Sequence, residues 1–106
     1  MILNQADITL TAGELGINRF SADTRKMQRH HCMECGTALW FSSPDYAGIV
    51  ALKPGTLDDT SALRPVAHLW YQSAQPWLNV GDDLPVYQTQ PPLSELLELA
   101  IKARRA

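Results

Sequence analysis

Two cysteines three positions apart carry the clearest chemical signal in this sequence of 106 residues. Cys32 and Cys35, followed at once by Gly36, have the spacing of the sulfur half of a zinc knuckle. The glycine can take the positive φ that turns backbone N–H groups toward the sulfurs. A closed structural zinc site needs four ligands, and the sequence contains no other cysteine. Cys32 and Cys35 are therefore predicted metal ligands, and the other ligands come from histidine, from a second copy of the chain, or from nowhere.

Two other interpretations of the cysteine pair remain open. A redox-active pair has its first cysteine at a helix N-terminus, where the dipole lowers the pKa of the thiol. Residues 37–41, which follow the pair, instead have the alternation of a strand. The pair could also be two structural thiols that bind no metal. Zinc or a similar metal is the favoured interpretation.

Three histidines are candidates for further ligands. His30 and His31 directly precede the first cysteine. Adjacent strand residues point to opposite faces, so at most one of the two faces the sulfurs, and the sequence does not choose between them. His68 shares a predicted strand face with Val66 and Trp70, which favours a buried, hydrogen-bonded imidazole.

Other residue types with chemical potential are better explained by structure. Asp58 and Asp59 are paired acids of the kind used in acid–base catalysis, but their context predicts a turn with a capping aspartate. Tryptophan and tyrosine are dense for a short chain, which indicates core packing or an aromatic-walled pocket. No phosphate-binding loop, nucleophile elbow or metalloprotease motif is present, so no catalytic residue is identified.

The elements expected to position these residues are mainly strands. Alternating or apolar runs bounded by turn residues predict five of them, at residues 7–11, 15–20, 37–41, 47–52 and 66–71. The first two are expected to form a hairpin, and residues 28–31 are expected to lead in an extended conformation into the cysteine turn. The short spacing of the turns predicts a mainly β, antiparallel fold.

The C-terminal segment has a different pattern. After Pro91 and Pro92, apolar residues recur at helical spacing, with acidic residues early and basic residues late, as the helix dipole prefers. We expect this helix to close one side of the sheet. Residues 1–90 and 91–106 are therefore interpreted as parts of a single domain.

Bulk composition excludes some functions. A formal net charge of −2 and a pI near 5.8 argue against non-specific nucleic-acid binding. No apolar run is long enough to span a membrane, and the first residues lack the pattern of a signal peptide. We expect a cytoplasmic protein with reduced thiols, which favours metal binding over a structural disulfide.

Several short segments occur in an order typical of a known family. They are residues 29–39 around the cysteines, 55–59, 65–70, 76–77 and 84–87. This series resembles the glutathione-dependent formaldehyde-activating enzymes, also called the centromere-protein-V-like family, over about residues 6 to 88. The resemblance implies a β-tent of antiparallel strands around zinc, here with the C-terminal α-helix added.

The resemblance also implies a function. The family activity is that of a carbon–sulfur lyase, which joins formaldehyde to the small thiol glutathione as S-hydroxymethylglutathione. Cys32 and Cys35 match the second half of the family's structural zinc site. The other family zinc ligands are cysteines N-terminal to this pair, and the sequence contains none there. We therefore expect an N-terminally truncated member whose activity is lost or depends on a missing segment, or else a fragment of a longer enzyme.

An interaction domain is the alternative from another functional class. Loss of N-terminal strands would leave an open sheet edge and bare apolar surface, which favour association. A two-fold homodimer would bring two Cys32/Cys35 pairs together into a four-sulfur site. A separate chain that supplies the missing half is the other form of this hypothesis.

Overall fold

The computed structural model describes residues 1–22 and 25–105. The chain divides into two compact units, Met1–Ala62 and Leu63–Ala106. The assignment of residues 1–90 and 91–106 to one domain stays a prediction.

The unit Met1–Ala62 is built on one antiparallel sheet. Its strands follow the order β1-β5-β4-β3-β2. The strands are β1 (Ile2–Asn4), β2 (Leu15–Ala22), β3 (Arg25–Cys32), β4 (Ala38–Ser42) and β5 (Ile49–Leu52). The sequence-based prediction of a mainly β, antiparallel fold is confirmed, and β2, β4 and β5 lie within a few residues of the predicted strands.

One predicted strand in this unit is wrong. Residues 7–11 form no strand, because Gln5–Asp7 is a turn of 3-10 helix and the chain to residue 11 is irregular. The alternation that suggested a strand has another cause. Ile8 and Leu10 line a hollow of about 230 Å³ together with Leu15 and Trp40. The hairpin partner of β2 is accordingly β3, over eight residues on each strand.

The two faces of the sheet differ in chemistry. Cross-strand pairs place His30, Trp40 and Leu52 on one face, which also carries Val50 with a relative exposure of 1%. Val50 is the centre of a thin core, since no other apolar residue described in this unit is fully buried. On the opposite face, the Arg29 guanidinium lies 5.3 Å from the centroid of the Phe41 ring. That contact is a cation–π interaction of the kind found at exposed sites.

The unit Leu63–Ala106 has little regular structure apart from its helix. Residues 66–71 do not form the predicted strand, since the ladder there is one isolated parallel bridge between His68 and Val86. Trp70 interrupts the extended chain with a left-handed backbone, φ 55°, and Tyr71–Ser73 form a turn of 3-10 helix. Extended residues without a continuous neighbour cannot complete a ladder.

The C-terminal helix is confirmed as α1 (Leu93–Arg105). It begins directly after Pro91 and Pro92. Proline is disfavoured inside a helix, but it is tolerated at the start, where its missing N–H would have no intrahelical partner. Leu96 is nearly buried at 9% exposure, whereas Ile101 is 49% exposed. The packing of α1 against the sheet stays a prediction. No helix in the described part of the chain combines the length and apolar character needed to cross a membrane.

Candidate metal site

The two cysteines lie in the turn that joins β3 to β4. Cys32 is the last residue of β3, and its carbonyl accepts a hydrogen bond from Gly36 N at 2.8 Å. Gly36 has φ 78°, so the glycine predicted to close the turn does adopt the left-handed region. Cys32 N donates to Thr37 O at 2.9 Å, which extends the ladder to the base of the turn. The turn is thus anchored to a continuous sheet.

Hydrogen bonding favours the ionised form of one thiol. Cys35 Sγ lies 3.1 Å from Thr37 Oγ1. This contact, with a weaker one from Cys32, lowers the pKa of the exposed Cys35 thiol below its ordinary value. Since thiolate is the form that binds a metal, the turn supplies one sulfur already biased toward that form. Thr37 is a contributor that the sequence analysis did not identify.

Neither neighbouring histidine joins the thiols. His31 lies opposite Gly16 on β2, and a Cβ at that glycine would collide with the His31 ring and the Met33 sulfur. His31 and Met33 therefore cover Gly16 on the face opposite to Cys32.

His30 shares the face of Cys32 but is committed elsewhere. Its ring stacks on Trp40, with centroids 5.2 Å apart, and its Nε2 lies 2.9 Å from Ser42 Oγ. Ser42 donates its own proton to Gln28 Oε1, so it accepts one from His30 Nε2, which leaves Nδ1 as the bare nitrogen. Burial, with a smaller effect of the Arg19 charge, lowers the pKa of His30. His30 is thus a core histidine whose charged form is disfavoured.

The donor chemistry of the thiol pair suits zinc, but two thiols are only half of the ligands that a closed zinc site needs. Within residues 1–22 and 25–105, no group of three or more histidine, cysteine, aspartate or glutamate side chains is placed to hold a metal ion. Two sulfurs on a knuckle turn match two corners of a tetrahedral zinc site. The described residues do not supply the other two corners.

A second polar cluster lies in the other unit. His68 Nε2 contacts both carboxylate oxygens of Asp82, at 2.9 and 3.0 Å. Asp82 Oδ1 also accepts from Leu84 N at 3.0 Å. These bonds hold the pKa of the Asp82 carboxyl below its usual value. His68 is hydrogen-bonded as expected, although it is half-buried rather than buried. Its partner Asp82 was not among the residues predicted from the sequence.

The remaining candidate residues have separate places. Asp59 Oδ1 accepts from Ser61 N at 2.9 Å, which is the capping turn predicted from the sequence. Trp70 lines a cavity of about 390 Å³ with Tyr71. Trp77, by contrast, is 79% exposed and belongs to no core.

These features define the class of the protein as a mainly β domain with a knuckle turn that presents two thiols. A family model described as glutathione-dependent formaldehyde-activating enzyme matches residues 1–73. The chain belongs to this family, whose model covers the whole sheet and the cysteine turn. No curated protein and no solved structure matches the chain.

Proposed function

We propose that this member of the formaldehyde-activating family binds zinc through Cys32 and Cys35 and that a second polypeptide completes the site. The observation that carries the proposal is the knuckle turn, with its left-handed Gly36 and its two thiols at the end of a sheet. Zinc held by two protein sulfurs lacks the closed coordination of a structural site. A second copy of the chain is the simplest source of two more sulfurs.

The placement of the turn supports completion by a second chain. Cys35 is exposed, and Cys32 is partly so, so a partner can approach both sulfurs. Met33, within the same turn, is 58% exposed, and its apolar side chain would gain from burial in such a contact. Two turns that meet about a two-fold axis would offer four sulfurs to one ion.

We further propose that the described residues of this chain are not sufficient by themselves for carbon–sulfur lyase activity. The family reaction adds a thiol to formaldehyde, and a zinc ion, when bound, supplies Lewis-acid chemistry. A catalytic zinc site keeps an open position on three protein ligands. The Cys32/Cys35 turn offers two thiols and is therefore assigned to structure.

Native mass spectrometry with added zinc tests the metal proposal. We expect one zinc per two chains, and we expect Cys32→Ser to abolish both zinc uptake and the zinc-dependent dimer. Glu34→Gln is the matched control, because it changes an exposed side chain of the same turn that the proposed contact does not use and keeps both thiols. A zinc-free monomer, or a monomer that holds one zinc alone, would contradict the proposal.

The lyase proposal has its own test. NMR can follow the formation of S-hydroxymethylglutathione from glutathione and formaldehyde. With zinc and this chain alone, we expect the spontaneous rate. An acceleration that chelation removes would overturn this part of the proposal and leave the metal stoichiometry to stand on its own measurement.

The long edge of the sheet favours a second candidate function, self-association as an interaction domain. β2 has eight residues and is the last strand of the sheet, and Ile17 and Phe20 on it are each 41% exposed. Such an edge is a template for pairing with another strand. Light scattering should give a dimer mass even without zinc, and Ile17→Lys should reduce that mass to a monomer. A zinc-free monomer of the unaltered chain would exclude this function.

A further inference from the structure

The sheet of the unit Met1–Ala62 has an uneven distribution of charge. Its five described strands contain no aspartate or glutamate, although the whole chain has 11 acidic residues and a formal net charge of −2. Basic residues do occur in β2 and β3, and Lys53 directly follows β5. The sheet is therefore a basic surface in an acidic protein, which the bulk composition does not reveal.

One face of this sheet carries aromatic rings and cations in alternation. From β2 to the end of β5 these residues are Phe20, Arg29, Phe41 and Lys53, which we call the cationic stripe. The Arg29 guanidinium lies 5.1 Å from the centroid of the Phe20 ring and 5.3 Å from that of Phe41. Lys53 Nζ lies 4.3 Å from the Phe41 centroid. The two cations are thus at most about 10 Å apart, which is about two strand spacings.

Both cations of the stripe have donors to spare. Among the described residues, no carboxylate lies within ion-pair distance of Arg29 or Lys53, and neither side chain makes a hydrogen bond. A guanidinium has five N–H donors in a planar fork that matches a carboxylate, and the two rings beside Arg29 restrict that fork. Ala51, which pairs with Phe41, is exposed, as are Arg29 and Lys53. The stripe is therefore open to a partner.

We propose that the cationic stripe binds an acidic peptide segment of a partner protein, with one carboxylate on Arg29 and a second on Lys53. The basis is charge complementarity, because both cations are unpaired and the strands hold no acidic side chain that would compete. Carboxylates about three residues apart in an extended peptide span the distance between the cations.

A nucleic acid suits this surface less well than an acidic peptide does. Bases stack on exposed ring faces, whereas cations already lie over the ring of Phe41. A peptide carboxylate needs only free N–H donors. The proposal is also independent of the zinc proposal, since Arg29 and Cys32 lie on opposite faces of β3.

An NMR titration of the full chain with hexaglutamate tests the proposal, with hexaglutamine as the uncharged reference. We expect saturable amide shifts centred on β3, β4 and residues 51–53 with hexaglutamate alone. Binding should weaken by more than about tenfold at an ionic strength of about 1 M, where the Debye length is about 3 Å. This comparison needs no variant. Equal shifts with both peptides, shifts centred on α1, or tighter binding of hexathymidylate at the stripe would overturn the proposal.

Three variants locate the carboxylate sites. Arg29→Gln removes the charge and the fork, so hexaglutamate should bind about tenfold more weakly. Arg29→Lys keeps the charge without the fork, so we expect a smaller loss of about threefold. Lys26→Gln is the matched control, because it removes the same charge from the opposite face of the same strand, and affinity should change by less than about twofold. An equal loss for Arg29→Gln and Lys26→Gln would indicate non-specific attraction and contradict the proposal.

Discussion

The two units of this chain are held together in different ways. In Met1–Ala62, five strands share one antiparallel ladder, and the thiol turn continues that ladder through the bond from Cys32 N to Thr37 O. In Leu63–Ala106, one isolated bridge and a few backbone bonds between residues 68–72 and 85–89 organise the chain before α1. The first unit gains order from a continuous ladder of backbone bonds, and the second combines its scattered backbone bonds with side-chain bonds such as that between His68 and Asp82.

The two kinds of support suit different kinds of site. A metal turn needs two sulfurs held at a fixed separation, and the end of a ladder gives that rigidity through backbone bonds alone. The polar cluster of the second unit depends on one side-chain pair, His68 and Asp82, with exposures of 23% and 37%. We therefore expect substitutions in the core to disturb the first unit most, and substitutions of single polar groups to disturb the second.

The largest expected effect breaks the sheet unit at its centre. Val50→Ala removes two methyl groups from the most buried side chain, which should lower the free energy of unfolding by about 2 kcal/mol. Hydrogen exchange should show reduced protection of the backbone amides in β3, β4 and β5. Leu96→Ala is the counterpart in the second unit and should expose the amides of α1. If both variants change exchange equally in both units, the units unfold as one.

A smaller effect is expected from the polar group in the core of the sheet. Ser42→Ala removes the acceptor of His30 Nε2 and the donor to Gln28, and should cost about 1 kcal/mol in the free energy of unfolding. Chemical denaturation measures this difference. Ser94→Ala, at an exposed position, is a suitable control for serine replacement and should change stability by much less. An unchanged midpoint for Ser42→Ala would mean that water satisfies His30 equally well.

The sheet was largely predictable from the sequence because its strands alternate against a buried face. The strand predicted at residues 7–11 was wrong because Ile8 and Leu10 line a hollow beside the sheet, and side chains that line one surface can alternate as they do in a strand. The strand predicted at residues 66–71 was wrong for a different reason. The left-handed backbone of Trp70 depends on partners about twenty residues away, which no local pattern contains.

The bond between His68 and Asp82 should make the stability of the protein depend on pH in the acid range. The pKa of Asp82 is lowered by its bonds to His68 and Leu84, so its ionised form stabilises the fold above the ordinary pKa of about 3.9. That contribution is lost as the pH falls through the lower pKa of the folded state. The stability difference between the unaltered chain and Asp82→Asn should therefore be largest near neutral pH and vanish in strong acid. A difference that does not change with pH would contradict this account.

The smallest effect is expected at the start of the helix. Tyr87 donates its hydroxyl proton to Glu95 Oε1 at 2.8 Å, at an exposed site where water competes for both groups. Glu95 lies in the first turn of α1, where a carboxylate is favourable with or without this bond. Tyr87→Phe should lower the melting temperature slightly, and Glu95→Gln should do so at least as much. A large loss for Tyr87→Phe alone would assign the tyrosine a structural role beyond this bond.

The candidate sites were predictable to different degrees. Cys32, Cys35 and Gly36 form a local motif, so their turn could be inferred from spacing alone. Asp82 could not be connected to His68, because the two are fourteen positions apart and no periodic pattern links them. Thr37 follows the motif directly, but an exposed threonine has no feature that identifies it as the partner of a thiol.

The register shift between β3 and β4 allows two local arrangements to form together. His30 pairs with Trp40 and His31 with Ala38, so Leu39 is an extra residue on β4. On one side of Leu39, the register places the His30 ring against Trp40. On the other side, the register places Cys32 N opposite Thr37 O, where they form a hydrogen bond. Deletion of Leu39 would keep one arrangement at the expense of the other. The bulge separates the cysteine turn from the aromatic core, so that a substitution in one need not change the strand register of the other.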